Sequence, residues 1–393
     1  KMTKDQKDYL THNEKMHAIP HYLGVNGIVY DMDLFNDESL YFGANGGYTN
    51  YAGNKSKGPD GKEGTYDDGL PATYDEFVTL CNYMKNVKTI DPITISGYYS
   101  GTYGNNLLGA LAVDYDGAKA SIGYTLDGSQ KLMNVNNNTI DAVETVITKN
   151  NGYETYRQPG KYYAFSFIEK IRTYFDNDSK DGNVMHSAAQ ANYLRSVLND
   201  RIAFLVEGNW WENEADPVFK AMSRKDADMA KDVRKFGFLP FPKATSDMIG
   251  SGVKLIDNKW AFGFIRSSID ESKVLAAKTF LKFCYTDYSL QEFTITVGQP
   301  KALKYSIPDT SLLPSEFARQ VWSLYSAEDT RLVNPYSNAP TFLKNQNKFQ
   351  FKTMFVVSNN AAFDLLLSGS SDAHTIFKNI YDKNKATWAA NYL

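Results

Sequence analysis

Cysteine is almost absent from this chain of 393 residues. Cys81 and Cys284 are the two present, and neither stands in a CxxC pair. The common zinc and dithiol redox motifs are therefore missing, and a bridge between the two stays open at this level. Histidine is also scarce: His12, His17, His21, His186 and His374 show no HxxxH or HExxH spacing. Charge of one sign is not in excess. The formal net charge is -3, and Lys and Arg form no large cluster. Phosphate backbones need a basic face, so we expect no nucleic-acid partner. No apolar run is long enough to span a bilayer. Serine-nucleophile, Walker and dinucleotide-binding patterns are lacking, and Gly24, Gly27 and Gly43 do not have the spacing for one. No signal peptide or lipid-anchor cysteine opens the sequence. Its start, KMTKDQKDYLTHNEK, reads as a polar, helix-like piece cut from a longer polypeptide.

Aromatic residues, by contrast, are abundant, with 27 Tyr and 23 Phe. Tyr tolerates water at one end, so this excess points toward a wet, ring-lined surface as well as a core. The apolar fraction of 42% is enough for a core, and the length suits two domains or one large one.

Short strand-like runs alternate with helical patterns. Ile28–Tyr30, Ile93–Ser96, Ile202–Val206, Phe236–Leu239 and 258–267 read as strands. Thr73 with Glu76 three residues on reads as a capping box, followed by Phe77, Leu80, Cys81 and Met84 at helical spacing. Helices are expected over 107–114, 161–177, 188–199 and the amphipathic ESKVLAAKTFLKFCY, with more toward the C-terminus. Residues 41–70 have loop composition, and 115–160 suggest a small β excursion with a hairpin at GYTLDG. No fixed repeat is present. The alternation implies an α/β chain, with a parallel or mixed sheet covered by helices.

Four clusters carry candidate chemistry. In RIAFLVEGNWWENEA a strand runs out into Glu207, Gly208 and Asn209, then Trp210 and Trp211. Adjacent residues point in different directions, so one indole can pack inward while the other faces a cleft at the strand's C-terminal edge, where open α/β sheets bind ligands. A flat indole suits the C–H face of a sugar ring; Glu207, Asn209, Glu212 and Asn213 would take the hydroxyls. GYYSGTYGNN repeats that logic with Tyr98, Tyr99, Tyr103 and Asn105. VNPYSNAP presents Tyr336 and Asn338 on a loop stiffened by two prolines. GPDGKEGTYDDG crowds Asp60, Glu63, Asp67 and Asp68 into a glycine-rich turn. Calcium takes oxygen ligands from such loops, although the spacing is not that of an EF-hand.

The order of IPHYLGVNGIVYDMDLF, LPATYDEFVTLC, GYYSG, RIAFLVEGNWWENEA, FGFLPFP, KWAFGF, KVLAAKTFLKFC, TVGQPKAL and AAFDLLLSG resembles the extracellular solute-binding proteins of ABC sugar importers, the maltose-binding-protein-like family. The resemblance covers nearly the whole chain; the insertions at 41–70 and 115–160 depart from it. It implies a two-lobe, periplasmic-binding-protein-like fold of mixed sheets covered by helices, with sugar held in the interlobe cleft. It places 1–24 and 258–305 in a partial N-terminal lobe that lacks its opening strands, and 25–257 and 306–393 in the C-terminal lobe. It puts sugar-stacking rings at Tyr98 or Tyr99, at Trp210 or Trp211, and less closely at Tyr336.

The resulting expectation is a non-catalytic oligosaccharide receptor that delivers sugar to ABC permease subunits. It would be extracellular, either periplasmic or a cell-surface lipoprotein if a lipobox precedes these residues, and monomeric. It would need no cofactor, with Ca2+ an option in the acidic loop. The rival reading is a glycoside hydrolase using Glu207 and Glu212, since such enzymes need two carboxyls about one bond. A third is an adhesive surface protein clipped by calcium.

Overall fold

Strand Ile202–Gly208 lies at the heart of the sheet that organises the chain, and every one of its residues is buried. In the computed structural model the described residues are 1–21, 23–117, 126–136, 139–195, 201–256, 262–333 and 354–393. Strands are numbered β1 (Asn26–Asp31), β2 (Asp91–Thr94), β3 (Asp127–Asn136), β4 (Thr139–Thr148), β5 (Ile202–Gly208), β6 (Phe236–Leu239), β7 (Lys254–Ile256) and β8 (Arg331–Val333). The helices are α1 (Lys4–Leu10), α2 (Met32–Asp37), α3 (Tyr74–Tyr83), α4 (Ser100–Asp116), α5 (Pro159–Ile171), α6 (His186–Tyr193), α7 (Trp211–Glu214), α8 (Asp216–Ser223), α9 (Val274–Cys284), α10 (Asp287–Val297), α11 (Glu316–Ser326), α12 (Ala362–Leu367) and α13 (Ala373–Tyr392).

The main sheet runs in the order β6-β1-β5-β2. β5 is antiparallel to β1 and parallel to β2. Side chains alternate across it, as the pleat requires. Ile28, Tyr30, Phe204 and Val206 enter the core shared with α3, α4, α5, α12 and α13. Val29, Leu205 and Phe238 enter a second core with Trp211, Phe219 and Phe317. Strands buried on both faces read as continuous apolar runs, which is why IAFLV and FGFL were visible as strands.

Buried charges pin the ends of these elements. Lys243 Nζ reaches Asp114 Oδ2 at 2.9 Å and the carbonyl of Gly252 at 2.6 Å, with no side-chain exposure at the lysine. The backbone N–H of Lys254 donates to Asp114 Oδ1 at 3.0 Å. α4 is thereby tied to the segment after β6 and to β7. At the opposite end of β6 Arg234 pairs with Asp31, whose carboxylate also caps α2 through the N–H of Leu34.

A smaller body joins the two sequence ends of the 1–303 span. Ile19–Pro20 pairs antiparallel with Phe262–Gly263. Thr3 and Gln6 form a reciprocal capping box on α1, and Gln6 Nε2 donates to the carbonyl of Ala302 at 2.7 Å. α9, the amphipathic ESKVLAAKTFLKFCY segment, forms as its spacing predicts, yet none of its residues is buried.

Three sequence expectations shift. α4 begins at Ser100 instead of near Leu107, so Tyr103 and Asn105 stand on a helix and not in a loop. Glycines at 101 and 104 lower helix propensity, but α12 packs so close that a Cβ at Gly104 would overlap the Phe363 ring. Tertiary contact therefore decides. The β excursion is the long antiparallel pair β3–β4, in which Asp127 and Gly128 of GYTLDG are strand instead of hairpin turn; residues 123–125 of that motif lie outside the described residues. Glu76 reaches one residue beyond the N-cap: it accepts from Ala72 N at 2.7 Å, while Thr73 Oγ1 accepts from Glu76 N.

Candidate functional site

The C-terminal ends of β5 and β2 lie side by side, because the two strands are parallel neighbours. Each end releases an aromatic cluster into the same space. From β2 come Tyr98 and Tyr99, 56% and 37% exposed, and Tyr103 one turn into α4. From β5 comes Trp210, half-buried. Tyr98 and Tyr99 meet edge to face at 4.7 Å, Tyr99 and Tyr103 at 6.2 Å, and Tyr103 lies 6.4 Å from Trp210. The result is a continuous ring-lined wall with open phenol faces at one side.

The paired tryptophans separate as their neighbours dictate. Trp211 is fully buried, packed at 5.0–6.0 Å against Tyr193, Phe219, Phe236 and Phe317. It belongs to the core and not to the binding surface expected for it. Trp210 folds back along its own strand, and a Cβ at Gly208 would overlap its six-membered ring. Glycine two residues earlier thus gives the indole a flat backbone bed.

Several polar candidates do structural work instead. Asn209 continues the β1–β5 pairing with its side chain. Its Oδ1 accepts from Val25 N at 2.9 Å, its Nδ2 donates to Leu23 O at 3.1 Å, and its own N–H donates to Val25 O. Gln299 Nε2 then donates to the Asn209 carbonyl at 3.0 Å. Asn105, expected at the site, is buried, and its Oδ1 accepts from Phe363 N at the start of α12. It satisfies one of the free N–H groups a helix start leaves. Glu212 is buried and accepts from Ser315 Oγ, the N-cap residue of α11, at 2.7 Å. Lys231 stands 3.8 Å from it. Asn213 donates to the carbonyl of Val297 at 2.8 Å and accepts from Lys231.

Glu207 has a different set of neighbours, none shared with Glu212. Its Oε1 accepts from Gly208 N at 3.1 Å, and its Oε2 lies 3.1 Å from His186 Nε2. Burial pushes the Glu207 carboxyl up to about 8. Glu214 Oε2 lies 2.8 Å from the same imidazole nitrogen. Burial alone would discharge His186, but the Glu214 hydrogen bond and the charges of Glu207 and Glu214 outweigh it, and its pKa is raised. The imidazole stacks on Tyr103 at 5.3 Å and 23°. The carboxylates expected as a hydrolytic pair therefore do not work together, while His186 and Glu214 join Glu207 instead. His186 comes from α6, and no local spacing marks it.

In the acidic loop the carboxylates turn inward to hold the chain. Asp67 accepts from Asp60 N at 2.9 Å and Thr65 Oγ1 at 2.7 Å, Asp60 from Lys62 N at 2.7 Å, and Asp68 from Gly64 N at 2.8 Å. Glu63 is exposed. Among the described residues, no three of this loop's side chains bring ligand atoms together. Tyr336 and Asn338 lie outside the described residues.

No family model and no curated protein sequence matches the chain. Solved structures do match over nearly all of it. A chitin oligosaccharide binding protein aligns over 98% of this chain and 76% of its own, at 14% identity and TM-score 0.55. A sugar transporter protein of Bacillus licheniformis, solved with stachyose, aligns over 98% and 77%, at 12% identity and TM-score 0.52. An ABC transporter binding protein of Bifidobacterium animalis subsp. lactis, solved with mannobiose, aligns over 99% and 74%, at 15% identity and TM-score 0.51. The α/β fold is that of the two-lobe solute-binding proteins.

Proposed function

We propose that the protein is a non-catalytic carbohydrate receptor that holds oligosaccharide by aromatic stacking and hands it to the permease of an ABC importer. The observation that carries this reading is the wall of Tyr98, Tyr99, Tyr103 and Trp210, gathered at the strand ends of a fold whose solved counterparts include binders of stachyose, mannobiose and chitin oligosaccharide. Sugar C–H faces dock on rings with little loss of side-chain freedom, and the phenol hydroxyls at 98 and 99 exchange hydrogen bonds with sugar hydroxyls. Residues 1–24 with 258–305 would act as the second lobe, closing by population shift when a ligand bridges both. The setting would be extracellular, periplasmic or lipid-anchored at the cell surface, with the receptor working as a monomer. No described helix is long and apolar enough to cross a membrane.

The test is calorimetric titration of the intact protein with stachyose, raffinose, mannobiose, maltose and chitin oligosaccharides, with tryptophan emission followed in parallel. At least one is expected to give saturable heat and an emission change, both lost in Trp210→Ala. No heat from any of them, or release of reducing ends on incubation, overturns the proposal.

A further inference from the structure

We propose that His186, Glu207 and Glu214 form a binding site for a divalent transition cation of the zinc class, behind the aromatic wall. The inference stands on the geometry of these three side chains and does not rest on the receptor reading.

The three come from three elements: His186 opens α6, Glu207 is next to last in β5, and Glu214 closes α7. Their ligand atoms all lie within 4.8 Å of one another. His186 Nε2 sits 3.1 Å from Glu207 Oε2 and 2.8 Å from Glu214 Oε2. Bonds of about 2.0–2.2 Å to a four-coordinate cation separate ligand atoms by roughly 3.3–3.5 Å, so a small closure-to-opening adjustment admits the ion.

Hydrogen bonding alone serves this cluster poorly. One ring nitrogen faces two carboxylate oxygens, and the Gln190 amide lies 2.8 Å from it as well. If Nε2 carries the proton, it has one hydrogen for two carboxylates and meets the amide of Gln190 head on. If Nε2 is bare, its one lone pair is shared between the Gln190 amide and a protonated Glu207, and the Glu214 carboxylate still faces it. A cation uses the lone pair and both oxygens together. Two carboxylates also match its charge.

The donor set selects the ion. One imidazole nitrogen with two carboxylate oxygens suits zinc or its borderline neighbours, whereas calcium and magnesium prefer oxygen alone. Three protein ligands leave a fourth position open. His186 and Glu214 retain 17% and 44% side-chain exposure, which gives the ion a way in, while Glu207 at 1% forms the floor. The ion would fasten the segment carrying Trp210 to α6, on which the Tyr103 ring already rests through His186.

The test uses the whole protein, stripped with chelator and titrated with Zn2+ by calorimetry, with X-ray absorption on the loaded sample. One tight equivalent is expected, with one nitrogen and two oxygens from protein, and a rise in thermal midpoint that follows mass action. Glu214→Gln keeps a half-exposed site of the same size and should still fold; it is expected to weaken that equivalent at least tenfold, as is His186→Ala. Equal Zn2+ affinity in the Glu214→Gln and parent proteins, or no uptake by the parent, overturns the proposal. Sugar titration of the stripped protein keeps the two readings apart. Sugar heat without zinc uptake removes this inference alone; zinc uptake without sugar heat supports it and removes the receptor reading.

Discussion

α5 and α9 are both amphipathic, and they end up in opposite circumstances. α5 buries Ala164, Phe165, Phe167, Ile168 and Ile171 against the main core. α9 buries nothing, and Leu275, Phe280 and Phe283 stand 76%, 65% and 52% exposed, with Phe264 and Tyr288 nearby in sequence and also open. An apolar stripe promises a face to be covered; it does not say what covers it. The sheet body supplies its own cover from helices on both sides. The smaller body of 1–20 and 262–303 has its capping, ladder and ion-pair contacts but leaves its ring-rich face to solvent.

That contrast can be broken hardest in the sheet body. Lys243→Ala leaves Asp114 charged and buried without its partner, and is expected to cost about 3–5 kcal/mol in chemical denaturation. Trp211→Ala is expected to cost a similar ~3–5 kcal/mol through the cavity it opens among four rings, whereas Trp210→Ala should cost far less and act on ligand binding. A like loss for both indoles would contradict their separation into core and surface. A smaller effect tests the 58–69 loop. Burial, with the Asp60 carboxylate beside it, pushes Asp67 from 3.8 up to about 7. A folded pKa above the unfolded one means stability that is full below about pH 4 and lost as pH rises through 7. The loss is read as a falling denaturation midpoint between pH 4 and 8 that Asp67→Asn flattens. The smallest effect belongs to the other side of the comparison. Leu275→Ser with Phe280→Ser is expected to shift stability by less than about 0.5 kcal/mol while lowering binding of a hydrophobic dye. A loss of 2 kcal/mol or more would mean that α9 is covered in solution.

The same contrast explains what could be seen in the sequence. β5 and β6 were legible because two-sided burial writes unbroken apolar runs, and α3 and α9 because capping residues and spacing are local. The start of α4 was hidden by Gly101 and Gly104, whose weak propensity is outweighed by α12 lying against them. At the site, the tryptophan pair announced a ring-lined edge, but which indole faces out depends on Gly208, a signal two residues upstream that pair-spacing alone does not weigh. Asn105, Asn209 and Glu212 are polar residues beside a cleft, and composition does not distinguish a ligand contact from a backbone staple. His186 carried no signal, because only the folding of α6 against β5 brings it to Glu207.

Asn209 sits at the joint where segment 23–25 leaves the sheet, and the next residue along is the indole of Trp210. The amide grips Leu23 and Val25 on one side, and its carbonyl is held from Gln299 on the other. A rotation of the smaller body would pull on those three strings together and tilt the neighbouring ring. If the smaller body moves as the proposed closure requires, the emission of Trp210 would register that movement even when nothing touches the indole itself.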